Sequence, residues 1–482
     1  MENSKEAYLE QTVRCRILPE ADVVVCGGGT AGVVAAIAAA RNGARTVLVE
    51  AAGALGGMMT FGNAGLTMFA KYSGSREEHD RDEETLKTNP EAIMHVGGIP
   101  MELVRRMMKQ GDAIGNFNAC ASYILTNSEE FKRLLFVMMK EAGVTLQLHS
   151  LIVDVIREGE HLKGIVIESK SGREFLPAKI IIDTTGDGDV AARAGVPFCC
   201  GVTEKDICAS PETLGVCSPV GVMFKVANVN LKKTFEFLEK NPDHYIEHPF
   251  SRFSLASAKR CFERGDNCTS CIKFSEEDGW VQIYNTPHQG VVTICCPCVK
   301  GIDGLDSRQL SHAEAVMAEM VGRWVERMRS QIPGFEDIFL IDCPQIGVRE
   351  TRHIQGEYLL TALDIYQSKH FEDCIGFGSH PVDIKPRPAW LDEPAKAYPP
   401  RWSFEIPYRS LVASTVDNLL LAGRCISATH EASGSIRTTA QCMVTGEAAG
   451  TAAALSCANA IHPRDLSPEL LRSQLKAHGV KC

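Results

Sequence analysis

Three glycines, Gly27, Gly29 and Gly32, stand between the apolar run Val23–Cys26 and a run of small residues that opens with Thr30 and Ala31. In a G-x-G-x-x-G turn the first glycine permits the tight bend and the second lets backbone N–H groups approach a pyrophosphate. The third lets the following helix pack against the strand. The helix N-terminus adds a dipole that favours negative charge. Glu50 closes the next apolar run, "RTVLVE". A carboxylate there accepts hydrogen bonds from ribose hydroxyls and repels a 2′-phosphate. The chemistry these residues suit is dinucleotide binding, with NADP disfavoured; a Gly-rich turn shaped by packing alone is the competing reading.

Further along, "AAGALGGMMT" sets Ala51, Gly56, Gly57, Met58 and Thr60 after Glu50. The second glycine pair allows close approach to a ligand that runs beyond the pyrophosphate, and the Thr60 hydroxyl could donate to it. "DTTGDGD", with Thr185, Gly186 and Asp187, and "LLLAGR", with Gly423, repeat the design of an apolar strand ending in Thr-Gly or Ala-Gly. A cofactor touched by segments this far apart is characteristic of FAD lying across a discontinuous domain.

Flavin chemistry needs a substrate held against N5 and a group that moves the accompanying proton. His430, in "SATHEASG", has the right intrinsic acidity for such a group; a hydrogen-bonded loop histidine is the competing and favoured reading. "QIGVRETRHIQGEY" packs Arg349, Glu350, Arg352, His353 and Tyr358 together. If its first part is a strand, Arg349 faces away from Glu350 and Arg352. One of the two arginines then faces the flavin, although internal ion pairing accounts for the run as well. The stretch Cys199–Cys298 is rich in cysteine, including "CTSC" at Cys268 and Cys271 and "CCPC" at Cys295, Cys296 and Cys298. Such pairs can ligate zinc or an iron–sulfur cluster, but the spacing follows no regular cluster pattern, and free cysteine is a common buried apolar residue. No metal ligand is therefore assigned. "GGMMTFGNAGL" carries no redox cysteine pair, and no second G-x-G-x-x-G is visible, so a dithiol reductase and a dedicated NAD(P)H domain are both disfavoured.

The elements that must position these residues are legible at low resolution. "ADVVVCG" reads as a buried strand, "TAGVVAAIAAARNG" as a helix ended by Gly43, and "RTVLVE" as a second strand, together a βαβ unit. "NSEEFKRLLFVMMKEAG" reads as a helix capped by Ser128 and ended by Gly143. A β meander and the strand "AKIIID" follow. "SHAEAVMAEMVGRWVERMRS" is a strong amphipathic helix in an otherwise mixed stretch, and "TTAQCMVTGEAAGTAAALSCA" a long helix of small residues. The expected fold is α/β: a Rossmann-like FAD-binding domain of three layers (ββα), discontinuous over residues 1–198 and 399–482, with an inserted α+β substrate or cap domain at 199–398.

At 482 residues and 45% apolar content the chain can bury a sizeable core. A formal charge of −10 argues against nucleic acid or an anionic membrane as partner. The polar N-terminus shows no signal segment, and no apolar run is long enough to span a bilayer. The nineteen cysteines then read as reduced cytoplasmic thiols, and a bacterial, anaerobic cytoplasm suits them. Small-molecule chemistry is the expectation, with an electron-carrier partner possible and the oligomeric state open.

The segments "VVVCGGGTAGVVAAIAAARNGARTVLVE", "GGMMT", "IIDTTGDGDVAARAG", "GVRETRHIQGEYLLT", "IPYRSLV" and "NLLLAGRCISATHEASGSIRTTAQCMVTGEAAGTAA" resemble the FAD-dependent oxidoreductase family of the glutathione-reductase-2 structural type. More distantly the chain is similar to fumarate reductase and succinate dehydrogenase flavoproteins. The match is poorest over Cys199–Ser330. The resemblance implies non-covalent FAD, with Gly27, Gly29 and Gly32 at the pyrophosphate and Glu50 at the adenosine ribose. Gly57, Met58 and Thr60 would run toward the flavin, and Val153 would serve the adenine through its backbone. Thr185, Gly186 and Asp187 would form the second crossing and Gly423 the ribityl side. Thr438 and Thr439 would open a helix facing the flavin pyrimidine, where its dipole suits the charge gathered on reduction. Arg437 matches the arginine that binds substrate carboxylate in the fumarate-reductase relatives; a structural pair is its alternative. Tyr408 and Arg409 resemble family residues near the isoalloxazine. The implied activity is hydride transfer between flavin N5 and a sugar- or polyol-type alcohol or an activated double bond. An electron-transfer subunit with a cysteine-ligated cluster is the second reading.

Overall fold

The structure is a computed structural model that describes residues 12–72, 88–89, 92–115, 123–246, 254–265, 269–275, 279–384 and 402–482. Strand β1 (Ala21–Cys26), helix α1 (Thr30–Arg41) and strand β2 (Thr46–Val49) form the first βαβ unit. Val23, Val24 and Val25 have no exposed surface, as a parallel strand covered on both faces requires. Helix α2 (Gly98–Gln110) and helix α3 (Ser128–Ala142) lead to strand β3 (Thr145–Gln147). The cap of α3 is Asn127, one residue earlier than expected: its side chain accepts from the Glu129 N–H at 3.2 Å. Gly143 ends the helix at φ 76°.

Strands β4 (Leu151–Glu158) and β5 (His161–Ser169) form a hairpin that runs into strand β6 (Gly172–Asp183). This twelve-residue strand works twice. Its first half pairs antiparallel with β5, and its second half, Ala178–Asp183, pairs parallel with β1. Late in the chain, strand β13 (Leu419–Leu421) adds to β6 from the other side, also parallel. The parallel order is β3–β2–β1–β6–β13. The fold is α/β, with helices α1 and α6 (Thr439–Asn459) packed together against the sheet. Their contact depends on small residues: a Cβ on Gly446 would lie 2.3 Å from the Ala31 carbonyl oxygen, and one on Gly450 2.1 Å from that of Ala35.

A separate antiparallel sheet has the order Tyr245–Ile246, β8 (Thr269–Ser275), β9 (Gly279–Asn285), β10 (Val292–Val299), β7 (Val220–Ala227), β11 (Phe339–Asp342). Helix α4 (Ser307–Gln331) covers it with Ala313, Met317, Val321, Val325 and Met328, a stripe at helical spacing. These make a second core, with Phe224, Phe235, Ile283 and Phe335. Ile354, Leu360, Ile375 and Ile384 join the first core, together with the late elements β12 (Arg352–Ile354) and α5 (His430–Ile436). Among the described residues no helix is long and apolar enough to cross a membrane.

Candidate functional site

The turn after β1 is built for contact with something outside the protein. Gly27 has φ 109°, a conformation that favours glycine, and a Cβ on Gly32 would lie 1.8 Å from the Gly27 carbonyl oxygen. The Thr184 hydroxyl, at the end of β6, closes the turn by donating to the carbonyls of Cys26 and Gly27. A Cβ on Gly29, by contrast, would meet nothing within 4 Å. Helix α1 therefore begins on an open side, and no side chain caps it. Its first N–H groups are left for a ligand.

The other segments converge on this turn. Gly57, at φ 53°, would place a Cβ 3.0 Å from Gly29 Cα, and Gly423, at φ 85°, one 3.0 Å from Ala31 Cβ. From Asn418 to Ala454 every residue is buried except Arg424, Arg437, Thr438 and Thr439. In the buried surroundings of β1, α1 and β6, Gly27, Gly29, Thr30, Thr185, Gly186 and Asp187 are half-exposed, as are Gly57 and Met58. The residual exposure is thus confined to a few residues of these converging segments, which form the candidate groove. Helix α6 begins on it at Thr438, again with no side-chain cap. A long ligand with a diphosphate near one uncapped helix and an electron-rich ring near the other fits this cradle.

Several expected ligand groups are also engaged by the protein. Glu50 accepts from the Gly28 N–H at 2.6 Å and the Ala52 N–H at 2.7 Å, which fixes its carboxylate beside the glycine turn. Ala51 is exposed, and Gly56, at φ 104°, is buried behind the groove. The Thr60 hydroxyl turns inward and donates to Leu55 O. Thr185 donates to Asp183 and receives the Asp189 N–H, holding the second crossing in shape. The Val153 carbonyl accepts from Arg193. Thr438 bonds Gln441, and Thr439 donates to Gly65 O while accepting from the Thr67 N–H.

The candidate reactive groups divide into three places. Arg437 binds Asp383 through one nitrogen, to the backbone oxygen at 3.1 Å and to Oδ2 at 3.0 Å. Burial pulls its pKa below the ordinary guanidinium value; Asp383 opposes this and the like charge of Arg349 adds to it. Arg349 donates to Pro219 O at 2.7 Å. It lies two residues from Gly347, where a Cβ would come 2.7 Å from Met58 Cε. Arg349 lies close enough to Arg437 to act on it as a like charge. Behind them, Glu350 Oε1 contacts His430 Nδ1 at 2.7 Å and His353 Nε2 at 2.8 Å, while Oε2 accepts the Ser218 N–H. Both imidazoles are buried, and His430 Nε2 finds no partner among the described residues. Burial pushes the Glu350 carboxyl up, but the two histidines outweigh it and hold the group below its ordinary value.

Arg352 sits apart, bound to Asp187 O and Asp189 and lying over the Phe198 ring. Tyr408 and Arg409 have partners outside the cluster: Tyr408 donates to Pro463 O, and Arg409 pairs with Asp373. The segment before Arg352 is not a continuous strand; only Gly347 bridges, to Gly221. Arg424 is the residue sequence reasoning missed. It binds Asp187 and Thr351, and its guanidinium lies over Gly186. Its only signal is its place directly after the Ala-Gly turn. Cys271 is buried and Cys298 exposed, whereas Cys268 and Cys296 lie outside the residues whose side chains are described.

A family profile described as FAD dependent oxidoreductase matches residues 22–475. No curated protein matches the chain significantly. Among solved structures, the chain is similar to a geranylgeranyl bacteriochlorophyll reductase-like protein from Thermoplasma acidophilum, with 13% identity over 96% of this chain and 83% of that one, at a TM-score of 0.42. It is similar to p-nitrophenol 4-monooxygenase from Pseudomonas putida, at 12% identity, 95% and 84% coverage and a TM-score of 0.45. A flavin-dependent brominase gives 11% identity, 95% and 83% coverage and a TM-score of 0.44.

Proposed function

Because this chain belongs to the FAD-dependent oxidoreductase family, we propose that it exchanges a hydride between flavin N5 and a small organic acid with an activated double bond, held by Arg349 and Arg437. The cofactor is FAD, in the groove that Gly27, Gly29, Thr30, Gly57, Met58, Thr185, Gly186, Thr438 and Thr439 line, in the glutathione-reductase-2 manner. When bound, the flavin supplies the hydride exchange. The cap in this reading is the body around the second core, which contributes Pro219 as the anchor of Arg349.

The observation that carries the reading is the guanidinium pair. Asp383 pairs with Arg437, and the Glu350 carboxylate is held by His353, His430 and Ser218, so among the described residues Arg349 has no carboxylate partner of its own. A substrate carboxylate supplies that partner, and planar guanidinium groups bind carboxylates through paired hydrogen bonds. Each arginine is tethered by one nitrogen to the protein, so its direction is fixed before substrate arrives. Glu350 acts as a positioning residue: tied to His353, His430 and Ser218, it locks the neighbour of Arg349 in place. His430 contributes from behind Glu350 rather than from the groove. Oxidation of a polyol, the other expectation, calls for a base at the groove, and both imidazoles of the cluster are buried. The electrons are replenished by a separate carrier.

Anaerobic flavin absorbance tests this. Photoreduced protein should be reoxidised by α,β-unsaturated carboxylic acids and not by the corresponding amides. Arg349→Gln should raise the KM for the acid about ten- to a hundred-fold while leaving the oxidised flavin spectrum intact. Bleaching of the oxidised flavin by polyols or glycosides, equal in wild type and Arg349→Gln, would refute the reading.

A further inference from the structure

We propose that His161, Asp417 and His462 form a binding site for a zinc-class divalent cation on the surface of the FAD-binding body, separate from the groove. The three come from distant parts of the sequence. One ligand atom from each lies within 4.8 Å of the other two. His161 Nδ1 is 2.8 Å from Asp417 Oδ1, and His462 Nδ1 is 3.8 Å from Asp417 Oδ2. Tetrahedral zinc with bonds of about 2.0–2.2 Å sets its ligand atoms about 3.3 Å apart. The two imidazoles approach different oxygens of the same carboxylate, and one atom from each residue lies within 4.8 Å of the others, so the groups converge loosely and must draw together to close on an ion.

A simple ion-paired cluster explains half of the arrangement. His161 already has a short contact to Asp417, but His462 stops at a distance too long for a hydrogen bond. Among the described residues the His462 ring makes no hydrogen bond at all. It stands edge-on to the His161 ring, with centroids 6.4 Å apart. A shared cation accounts for both imidazoles converging on one carboxylate. Two nitrogens and one oxygen select a borderline ion such as Zn²⁺ over Mg²⁺ or Ca²⁺, which take oxygen ligands. All three side chains are partly exposed, so water can fill the remaining positions.

The scaffold holds the ligands rigidly. Asp417 N–H donates to Glu160 O, and the buried Asn418 side chain bonds both backbone groups of Leu162, so the residues on either side of His161 are held by Asp417 and its neighbour. His462 precedes the buried Pro463, whose carbonyl takes the Tyr408 hydroxyl. A bound ion would fasten the segment after α6 to the turn between β4 and β5. Preorganised ligands of this kind lower the cost of binding.

The test uses the full-length flavoprotein after chelator treatment, titrated with Zn²⁺ and, separately, with Co²⁺. Wild type should take up one more equivalent of Zn²⁺ than His161→Gln/His462→Gln, and His462→Gln alone should weaken that equivalent at least about ten-fold. Co²⁺ in that equivalent should show nitrogen–oxygen ligand-field bands without sulfur-to-cobalt charge transfer, which separates it from binding at cysteine. Flavin absorbance should be the same in all three proteins. Equal Zn²⁺ uptake by wild type and the double variant, or only sulfur-ligated Co²⁺, would overturn the proposal.

Discussion

Glu350 is the residue on which the reactive region turns. It is nearly inaccessible to solvent, yet it carries a charge shared by two imidazoles and one backbone N–H. Glu350→Gln should cost about 2–4 kcal/mol of stability at neutral pH, because it leaves buried polar partners incompletely satisfied. A carboxyl held below the ordinary glutamate value of 4.5 stabilises the fold fully above that pH and loses its contribution as pH falls through the lower folded value. The gap between wild type and variant, read from denaturant midpoints, should therefore be largest near neutrality and shrink below pH 4.5; a gap that is flat with pH would show that the charge is not what matters. This unit was only partly visible in the sequence. The glycine turn was legible because tight φ values and close backbone approach act within a few residues. Glu350 and His353 stood in a recognisable dense run, but His430 comes to the same oxygen from 80 residues away. Arg424 gave no pattern of its own, since its partners Asp187 and Thr351 are brought to it only by the sheet.

At the scale of elements, the groove depends on how α6 lies against α1 and α2. Gly446 and Gly450 let α6 approach the backbone of α1, and Glu447, which directly follows Gly446, meets α2 instead. Helix α2 has no side-chain cap of its own. Glu447 supplies one from a distance by accepting the Ile99 N–H at 3.0 Å, over Gly98 at φ 59°. The sequence displayed the small-residue helix clearly; that a glutamate inside it serves another helix was hidden, because the contact spans 348 residues. Burial raises the Glu447 carboxyl to about 8, against the opposing pull of the Ile99 N–H and Arg41. The folded chain therefore holds this proton more tightly than the unfolded chain, and stability falls as pH rises from 4.5 to about 8. Glu447→Gln keeps an acceptor for Ile99 and removes that loss. Its melting temperature should match wild type near pH 5 and exceed it increasingly up to pH 8, by about 1–3 kcal/mol in stability, then level off. A difference independent of pH would place the proton elsewhere.

Across the whole molecule the two cores have unequal stakes in the cofactor. All the segments that trace the groove, from Gly27 to Thr439, belong to the body of the first core, while α4 and the antiparallel sheet close a core of their own. The bodies touch through polar contacts: Lys225 Nζ donates to Ser128 Oγ at 2.9 Å, and Asn63 Nδ2 donates to Asp342 at 2.7 Å and to Met223 O at 3.2 Å. Strands β6 and β13 pair although more than two hundred residues separate them, so the parallel sheet is assembled from distant parts of the chain. A ligand that bridges such distant segments stabilises them together, by about 2.7 kcal/mol when its free concentration is a hundred times Kd. Removing FAD should therefore speed amide hydrogen exchange in the β1–α1 turn, around Thr185–Asp187 and at the start of α6, with the middle of α4 unchanged. Adding an unsaturated acid to the flavin-loaded protein should then slow exchange around Gly347–Arg349, where the second body reaches the groove. Exchange that rose equally in α4 on loss of FAD would mean that the two cores unfold as one unit, and the groove would no longer be the property of the first body alone.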